Sequence, residues 1–553
     1  MGAGSAHSGL REKGNAVTAV TPIEVEQPQQ RQPAVARPEN KLVGLARRSL
    51  GLRRFLATPT DPVEAHALVR ERLANRDTHF LDTVSRLVFD VPQSPYRPLL
   101  AAAGCTYADL EASVREHGIE RTLEQLRDAG VYVTLDEWKG REVLARNGIE
   151  LRLQPSDFDN PLIGRDLEAS SSGSSGAASR TPAGWKGLTE GSKMFRVILD
   201  SYGMGDATSA IWMPAPPGGS GLLSAIVLTK LGMPPERWFT QTRPSGPLLD
   251  RITTTFLLVA SRALGHPLPR PRHTELGEAE VVARWLADGD PPRFLMGFAS
   301  SAVRVGQVAM ELGLNLNGRA VFVGGEPVTP DRREFLHSLG LQVIGMYGAS
   351  DAGMIGSGCP NVVSVDDYHV QLDQVAVIPG PDAPTTGPVP LLISSLVQTG
   401  GKVLLNVDIG DQAVLEQRAC DCPLGQMGLD QHLTHVRSRA KQTSEGMTVL
   451  SRALWDHAGK VLADAGATRD DYQIWEIHGA DGIARVSLAV SPHLRIDENA
   501  VVDRILTQYG KNDPGSKIAA DVWRQAGTLT IVREKPRLSS GGKLLPVLAI
   551  GGD

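Results

Sequence analysis

Between Pro62 and about Ile149, apolar residues recur at the spacing of an amphipathic helix, as in LDTVSRLVF and TLEQLRDAGV. Gly118 and Gly130 punctuate that pattern, which predicts a helical N-terminal subdomain. Between about 195 and 415 helical stretches alternate with the short apolar runs AVFVGG, LQVIGMYG, PLLISSL and KVLLNVDIG. Such runs read as buried strands, so the middle of the chain is expected to be α/β. One unit is spelled out in full. Strand AVFVGG is followed by Thr329 at a helix N-cap position, Pro330 at the first helical position and Asp331 in the first turn. Helix REFLHSL then stops at Gly340, where strand LQVIGMY begins. After about residue 442 a smaller α+β unit is predicted. It has helix LSRALWDHAGKVLADAG, alternating strands YQIWEIHG and ARVSLAV, a helix near Ala500–Tyr509 and strand TLTIV. Residues 1–45, rich in Gln, Pro, Ala and Ser without a hydrophobic period, are expected to be a mobile tail. No repeat of about 20–50 residues is present.

Composition narrows the function classes. The 553 residues are 41% hydrophobic and 22% charged, ample apolar material for a core. A net charge of −5 offers no basic excess, so neither nucleic acid nor a membrane is an expected partner. No run approaches the ~18–20 apolar residues of a membrane span; Leu222–Leu228 is already broken by a serine. The start MGAGSAHSG has no apolar core for a secretory signal, and Ala6 breaks the myristoylation pattern. Four cysteines do not make a disulfide framework, which leaves a reducing cytoplasm as the expected location. Only 13 of the 57 basic residues are lysine, so each lysine is worth locating.

Four short segments carry candidate chemistry. The run Ser170 to Gly176 (SSSGSSG) can present backbone N–H groups and hydroxyls to phosphate oxygens, or it is a flexible linker. No Gly-Lys-Ser/Thr follows, so it is not a Walker loop. Gly324-Gly325-Glu326-Pro327 ends one expected strand, and Tyr347-Gly348-Ala349-Ser350-Asp351 ends the next. Loops at the carboxyl ends of neighbouring strands are where α/β sheets bind ligands, although both segments also read as ordinary turn chemistry. There Tyr347 can pack on a base and Asp351 can hold a hard cation such as Mg2+. In NVDIGD (406–411) a carboxylate leaves a strand through glycine and can accept two ribose hydroxyls, or it marks a hairpin turn. Ser539-Ser540-Gly541-Gly542-Lys543 can deliver one positive charge to a developing oxyanion, or it ends in a solvent-exposed lysine. Ser540 and Lys543 also fit a Ser-x-x-Lys pattern, but without a following helix or Lys-Thr-Gly an acyl-serine enzyme is rejected.

In this order and spacing, from about Pro95 to Pro546, the segments resemble the adenylate-forming superfamily of acyl- and aryl-CoA ligases, and within it the phenylacetate–CoA ligase-like branch. SSSGSSG is similar to the phosphate loop, YGASD to Tyr-Gly-x-Thr-Glu and IGD to Thr-Gly-Asp. Ser438-Arg439 is similar to the Gly-Arg hinge motif, and SSGGK to Ser-x-Gly-Lys. Every motif is altered. The phosphate loop lacks the common lysine, with Arg180 the nearest cation, and Asp351 replaces Glu. Lys441 stands where Asp is usual, and MTVLS at 447–451 departs from Asn-Val-x-Pro.

The resemblance implies an α/β fold with a large N-terminal adenylate-forming domain of mixed sheets and helices at 46–437. A hinge at 438–442 and a small α+β C-terminal lid domain at 443–553 would follow. It implies ATP-dependent activation of a small-molecule carboxylic acid as an acyl-adenylate, then transfer to a thiol, that of CoA. The nucleotide contacts would be Ser171, Ser172, Gly173, Ser174, Ser175, Gly176, Gly325, Glu326, Pro327, Tyr347, Gly348, Ser350, Asp411 and Arg439. Asp351 would hold Mg2+, and Lys543 would bridge carboxylate and phosphate in the first step only. The small domain would turn about Lys441 for the second. The altered motifs keep open transfer to an acyl carrier protein or an amine, and a catalytically silent nucleotide-binding homologue. Retained Lys543, Asp411 and Asp351 favour the enzyme. The Ala/Arg/Gly-rich composition hints at specialised metabolism, while the acid (aryl, fatty or amino acid) and the oligomeric state stay open.

The cysteines add a second expectation. Cys359 lies just past YGASD, His369 ten residues later, and Cys420-Asp421-Cys422 just past IGD. If the two motif-bearing loops are neighbours, three thiolates and one imidazole converge as a closed Cys3His site for structural Zn2+; unrelated buried thiols are the alternative. Cys422-Pro-Leu-Gly425 is similar to the Cys-Gly segment that follows such a cluster in some members of the branch. Cys105, in an apolar helical context, is expected in the core, and His266 and His273 in a surface loop.

Overall fold

The computed structural model describes residues 50–164, 166–170, 180–215, 219–242, 248–263, 265–362, 366–439, 442–444, 446–449, 451–478, 484–538 and 544–550. The expected tail at 1–45 lies outside them. Among these residues no helix is long and apolar enough to cross a membrane.

The N-terminal helical period becomes helices α1 (Pro62–Ala74), α2 (Tyr107–His117) and α3 (Ile119–Asp128). Thr106 and Asp109 form a capping box on α2, and Gly118, at φ +80°, turns the chain directly into α3. Leu110, Val114, Ile119 and Leu123 face the core. The period does not run on to Ile149 as helix. Leu144–Arg146 and Ile149–Leu151 pair antiparallel about Asn147 and Gly148, at φ 52° and 76°. A two-residue turn with both φ positive selects Asn-Gly, and here it outweighs the apolar spacing. Cys105 is half-buried in a turn packed on the core instead of lying in a helix.

The α/β expectation is met by one large sheet of twelve described strands. Its parallel part runs β8 (Leu341–Ala349), β7 (Arg319–Val323), β6 (Arg293–Gly297), β3 (Thr208–Trp212), β4 (Arg237–Thr240) and β5 (Pro271–His273). Its antiparallel part continues from β8 through β9 (Gly353–Ser357), β10 (Tyr368–Val370), β14 (Gln431–Ser438), β13 (Val407–Gln417), β12 (Val389–Ser395) and β11 (Val375–Pro379). β8 is the seam, parallel to β7 on one edge and antiparallel to β9 on the other. Burial on both faces explains why β6 and β7 read as unbroken apolar runs. His273 sits half-buried on edge strand β5. A hairpin, β1 (Leu167–Ser170) with β2 (Arg180–Ala183), brackets the Ser/Gly segment and leads into helix α4 (Trp185–Ser201).

Between β7 and β8 lies helix α6 (Pro330–Ser338), as the motif predicts. Thr329 takes the N-cap backbone conformation, but its buried hydroxyl makes no capping bond. The C-terminal unit has sheet order β19 (Leu529–Val532), β18 (Ala484–Val490), β17 (Tyr472–His478) and β20 (Val547–Ile550). Helices α7 (Ser451–Leu462), α8 (Glu498–Tyr509) and α9 (Pro514–Ala526) share its core. Helix α9 lies outside the sequence expectation, although Asp513 at the cap and Pro514 at N1 are its legible start. Ile518 and Val522 of α9 enter the core of the large sheet, and Gln525 donates to Gln241 O at 3.0 Å while accepting from Leu276 N at 3.2 Å.

Candidate functional site

Tyr347 to Asp351 occupy the end of the seam strand. After the Tyr347–Gly356 pair the register slips by a bulge, and Gly348 faces Met354. A Cβ on Gly348 would stand 2.6 Å from Gly353 O, so only glycine fits this close approach. Tyr347 is buried, and its hydroxyl donates to Asp411 Oδ2 at 2.9 Å. Burial, followed by the Asp411 charge, holds the phenol well above its usual range, so it remains a donor. Ser350 is exposed on the turn. Asp351 accepts from Thr181 Oγ1 at 2.7 Å and pairs with Lys139 Nζ at 3.2 Å. Burial works against its charge, but Lys139 and the Thr181 hydrogen bond outweigh it and hold the carboxyl below its ordinary value.

Asp411 lies in β13, and Arg439 directly follows its partner strand β14. Gly410, at φ +92°, lets the chain turn so that its N–H reaches Asp408 Oδ1 at 2.7 Å. Arg439 N donates to Gly410 O at 2.8 Å, and its guanidinium engages both oxygens of Asp408. Arg439 is thus fixed by Asp408, while Asp411 is fixed by Tyr347.

Glu326, after β7, is only 7% exposed. Its carboxylate accepts from Ser300 N (2.7 Å) and Ser300 Oγ (3.1 Å) at the start of helix α5 (Ala299–Glu311), and from Gly446 N (2.7 Å). Arg332 Nη1 lies at 3.4 Å and also donates to Pro327 O at 3.1 Å. Gly325, at φ +77°, makes the turn beside the Phe298 ring. Gly446 belongs to the turn between β15 (Gln442–Ser444) and β16 (Met447–Val449), so Glu326 ties the GGEP loop to the chain beyond the expected hinge.

The fold therefore joins Thr181, just past the Ser/Gly segment, to YGASD, and YGASD to IGD. Ser171, Ser172, Gly173, Ser174, Ser175, Gly176, Lys441 and Lys543 lie outside the described residues. The flanks of two of these segments are closed by backbone pairing, Ser170 with Arg180 and Leu538 with Leu544.

No protein-family model and no curated protein matches the chain. Among solved structures, the chain is similar to 2-hydroxyisobutyryl-CoA ligase in complex with 2-HIB-AMP and CoA in the thioesterification state. Identity is 14%, coverage 89% of this chain and 91% of that one, and the TM-score 0.48. Acetoacetyl-CoA synthetase from Streptomyces lividans gives 12% identity over 69% of this chain and 54% of that one, at a TM-score of 0.35. Apo MatB from Rhodopseudomonas palustris gives 14%, 69%, 67% and 0.32 on the same measures. Likeness this loose leaves function to be argued from the chain's own residues.

The four cysteine and histidine side chains do converge. One ligand atom from each of Cys359, His369, Cys420 and Cys422 lies within 4.8 Å of the others. His369 and Cys359 are carried by β10 and the turn before it, and the Cys-x-Cys pair by the turn between β13 and β14. Cys359 and Cys420 sulfurs are 3.9 Å apart, near the ~3.8 Å edge of a tetrahedron of 2.3 Å zinc–sulfur bonds. His369 Nδ1 is 2.6 Å from Leu429 O, which makes it the protonated nitrogen and turns Nε2 toward Cys422 Sγ at 3.3 Å. The Cys359 hydrogen bond, with help from His369, outweighs burial and holds Cys422 far below the usual thiol range. The donor set fits Zn2+.

Three groups were not among the sequence candidates: Lys139, signalled only by the scarcity of lysine, Thr181, next to Arg180, and Asp408, three residues before Asp411. Nothing local connects Lys139 to a residue 212 positions away.

Proposed function

We propose that the chain is an ATP-dependent, AMP-forming acid ligase of the adenylate-forming superfamily, phenylacetate–CoA ligase-like. A carboxylate attacks the α-phosphate of ATP and displaces pyrophosphate, and the acyl group of the adenylate then passes to a thiol, that of CoA. One observation carries the reading. Thr181–Asp351 and Tyr347–Asp411, contacts between residues 170 and 64 positions apart, bring Thr181, YGASD and IGD together at the carboxyl end of the seam strand. Ligands of α/β sheets sit at such a strand end.

Phosphoryl attack needs charge neutralisation and in-line placement more than covalent help. Asp351 is kept ionised, as a hard cation requires, and fits Mg2+ as a ligand. Magnesium, when bound, neutralises phosphate charge. Lys139, paired with Asp351, supplies the cation that the altered phosphate-loop sequence lacks. Tyr347 lines the base and orients Asp411, which accepts the ribose hydroxyls, while Asp408 holds Arg439 at the ribose side. Lys543 bridges carboxylate and phosphate oxygens in the first step, and turning about Lys441 replaces it for the second. Cys359, His369, Cys420 and Cys422 hold a structural Zn2+ that pins the turns around β10 and β13–β14.

ATP–pyrophosphate exchange with a panel of aryl and aliphatic acids tests the proposal. Acid-dependent exchange that disappears in Lys543→Ala is expected, with acyl transfer from a supplied adenylate retained. Absence of exchange with every acid, despite ATP binding, would instead favour a silent nucleotide-binding homologue.

A further inference from the structure

Gln473 lies in β17, where Tyr472 and Ile474 point into the helix-covered core. Alternation along a strand sends Gln473 and Trp475 to the opposite face. That face is covered by the chain on either side of Ser539–Lys543. Gln473 is fully buried there, at 0% exposure. Its Nε2 donates to Arg537 O at 3.0 Å and to Leu545 O at 2.8 Å. Its Oε1 accepts from Arg537 N at 2.9 Å and from Trp475 Nε1 at 2.7 Å. One amide thus uses all four of its hydrogen bonds, three of them on backbone groups from the two flanks of one short segment. Leu538 pairs with Leu544 just inside those contacts, and the Arg537 guanidinium lies over the Trp475 ring at 4.3 Å. A buried amide satisfied in this way has a single arrangement, because any shift strands a buried polar group.

We propose that Gln473 is a positioning residue for Lys543: it ties Arg537 to Leu545, the described residues on either side of 539–543, and so sets where the terminal lysine is delivered. This rests on the adenylation role assigned to Lys543. Gln473 touches no substrate. Its effect comes through placement, where an error of about 1 Å costs on the order of 100-fold in rate. An apolar residue would leave Arg537 N, Arg537 O and Leu545 O without the amide. Glutamate keeps the shape but turns a carboxylate oxygen toward two carbonyls.

The test compares Gln473→Leu and the isosteric Gln473→Glu with Lys543→Ala in the full chain. Both partial reactions are read: ATP–pyrophosphate exchange, and acyl transfer from supplied acyl-adenylate. The expected result is a fall of at least about tenfold in exchange, transfer within about twofold of the unaltered chain, and a retained cooperative thermal transition. Equal loss of both reactions, or loss of neither, would overturn the clamp. Exchange that survives Lys543→Ala would instead overturn the role given to Lys543. Hydrogen exchange on the unaltered protein covers the case in which the variants do not fold. The Arg537 amide is expected to exchange slowly, and exchange at the rate of an open chain would overturn the proposal.

Discussion

Strands β7 and β8 lie side by side in the parallel half of the sheet, and each ends in a glycine-containing loop that carries one acid. The acids have opposite surroundings. Glu326 is held by the first turn of α5, by the Gly446 backbone and by the buried Arg332. Two of these donors, Ser300 N and Gly446 N, are backbone N–H groups, and through them the carboxylate fastens the chain to itself. Asp351 is held by the Thr181 hydroxyl and the Lys139 ammonium, each at the end of a side chain that can turn away. An acid held by rotatable groups can exchange them for a ligand, whereas one held by backbone N–H groups cannot without local unfolding. Strand ends alone do not make a site; the mobility of the partners separates an anchor from an acid free to take the proposed binding role.

The contrast can be broken in four places. The largest effect is expected for Glu326→Ala, which strands Arg332 and should cost about 3–5 kcal/mol of folding stability in a urea titration. An unchanged unfolding midpoint would make Glu326 no anchor at all. Asp351→Ala should weigh the other way, lowering ATP–pyrophosphate exchange about 100-fold, ~2.7 kcal/mol, while shifting the unfolding midpoint less than Glu326→Ala does. Next comes Lys139→Met. Removing the ammonium lets burial raise the Asp351 carboxyl, which in the proposed reaction acts ionised, so the acid limb of the exchange–pH profile should move to higher pH. A limb that stays in place would mean that Lys139 does not keep Asp351 charged. The smallest change belongs to Tyr347→Phe. Loss of one hydrogen bond to Asp411 should raise the KM for ATP about fivefold, ~1 kcal/mol, with kcat little altered.

Much of the architecture was legible. The strand–helix–strand unit around Thr329–Asp331 and the α+β texture of the C-terminal unit follow from local period and from residues with special backbone demands. The Asn147–Gly148 hairpin was equally local, yet it was hidden by apolar residues that also fit a helix. Helix α9 carries a start signal, but its inward residues Ile518 and Val522 are buried against the large sheet, so its packing depends on a distant part of the chain. Among the candidate site residues, Asp351, Asp411 and Tyr347 were singled out by motif, and the cysteine cluster by position relative to motifs. The use of Glu326 as an anchor was not visible, because Ser300, Arg332 and Gly446 carry no local mark of pointing at it.

By itself the sequence determined where strands and helices begin, which turns demand glycine, and which few residues have chemistry worth placing. These are properties of neighbouring residues, set by backbone sterics and by the period of burial. Only the tertiary structure decided which carboxylate faces a lysine and which a helix terminus, that four ligand atoms meet near β10, and that Gln473 closes on Arg537 and Leu545. Such choices depend on partners brought close by sheet order, and local composition holds no record of that order.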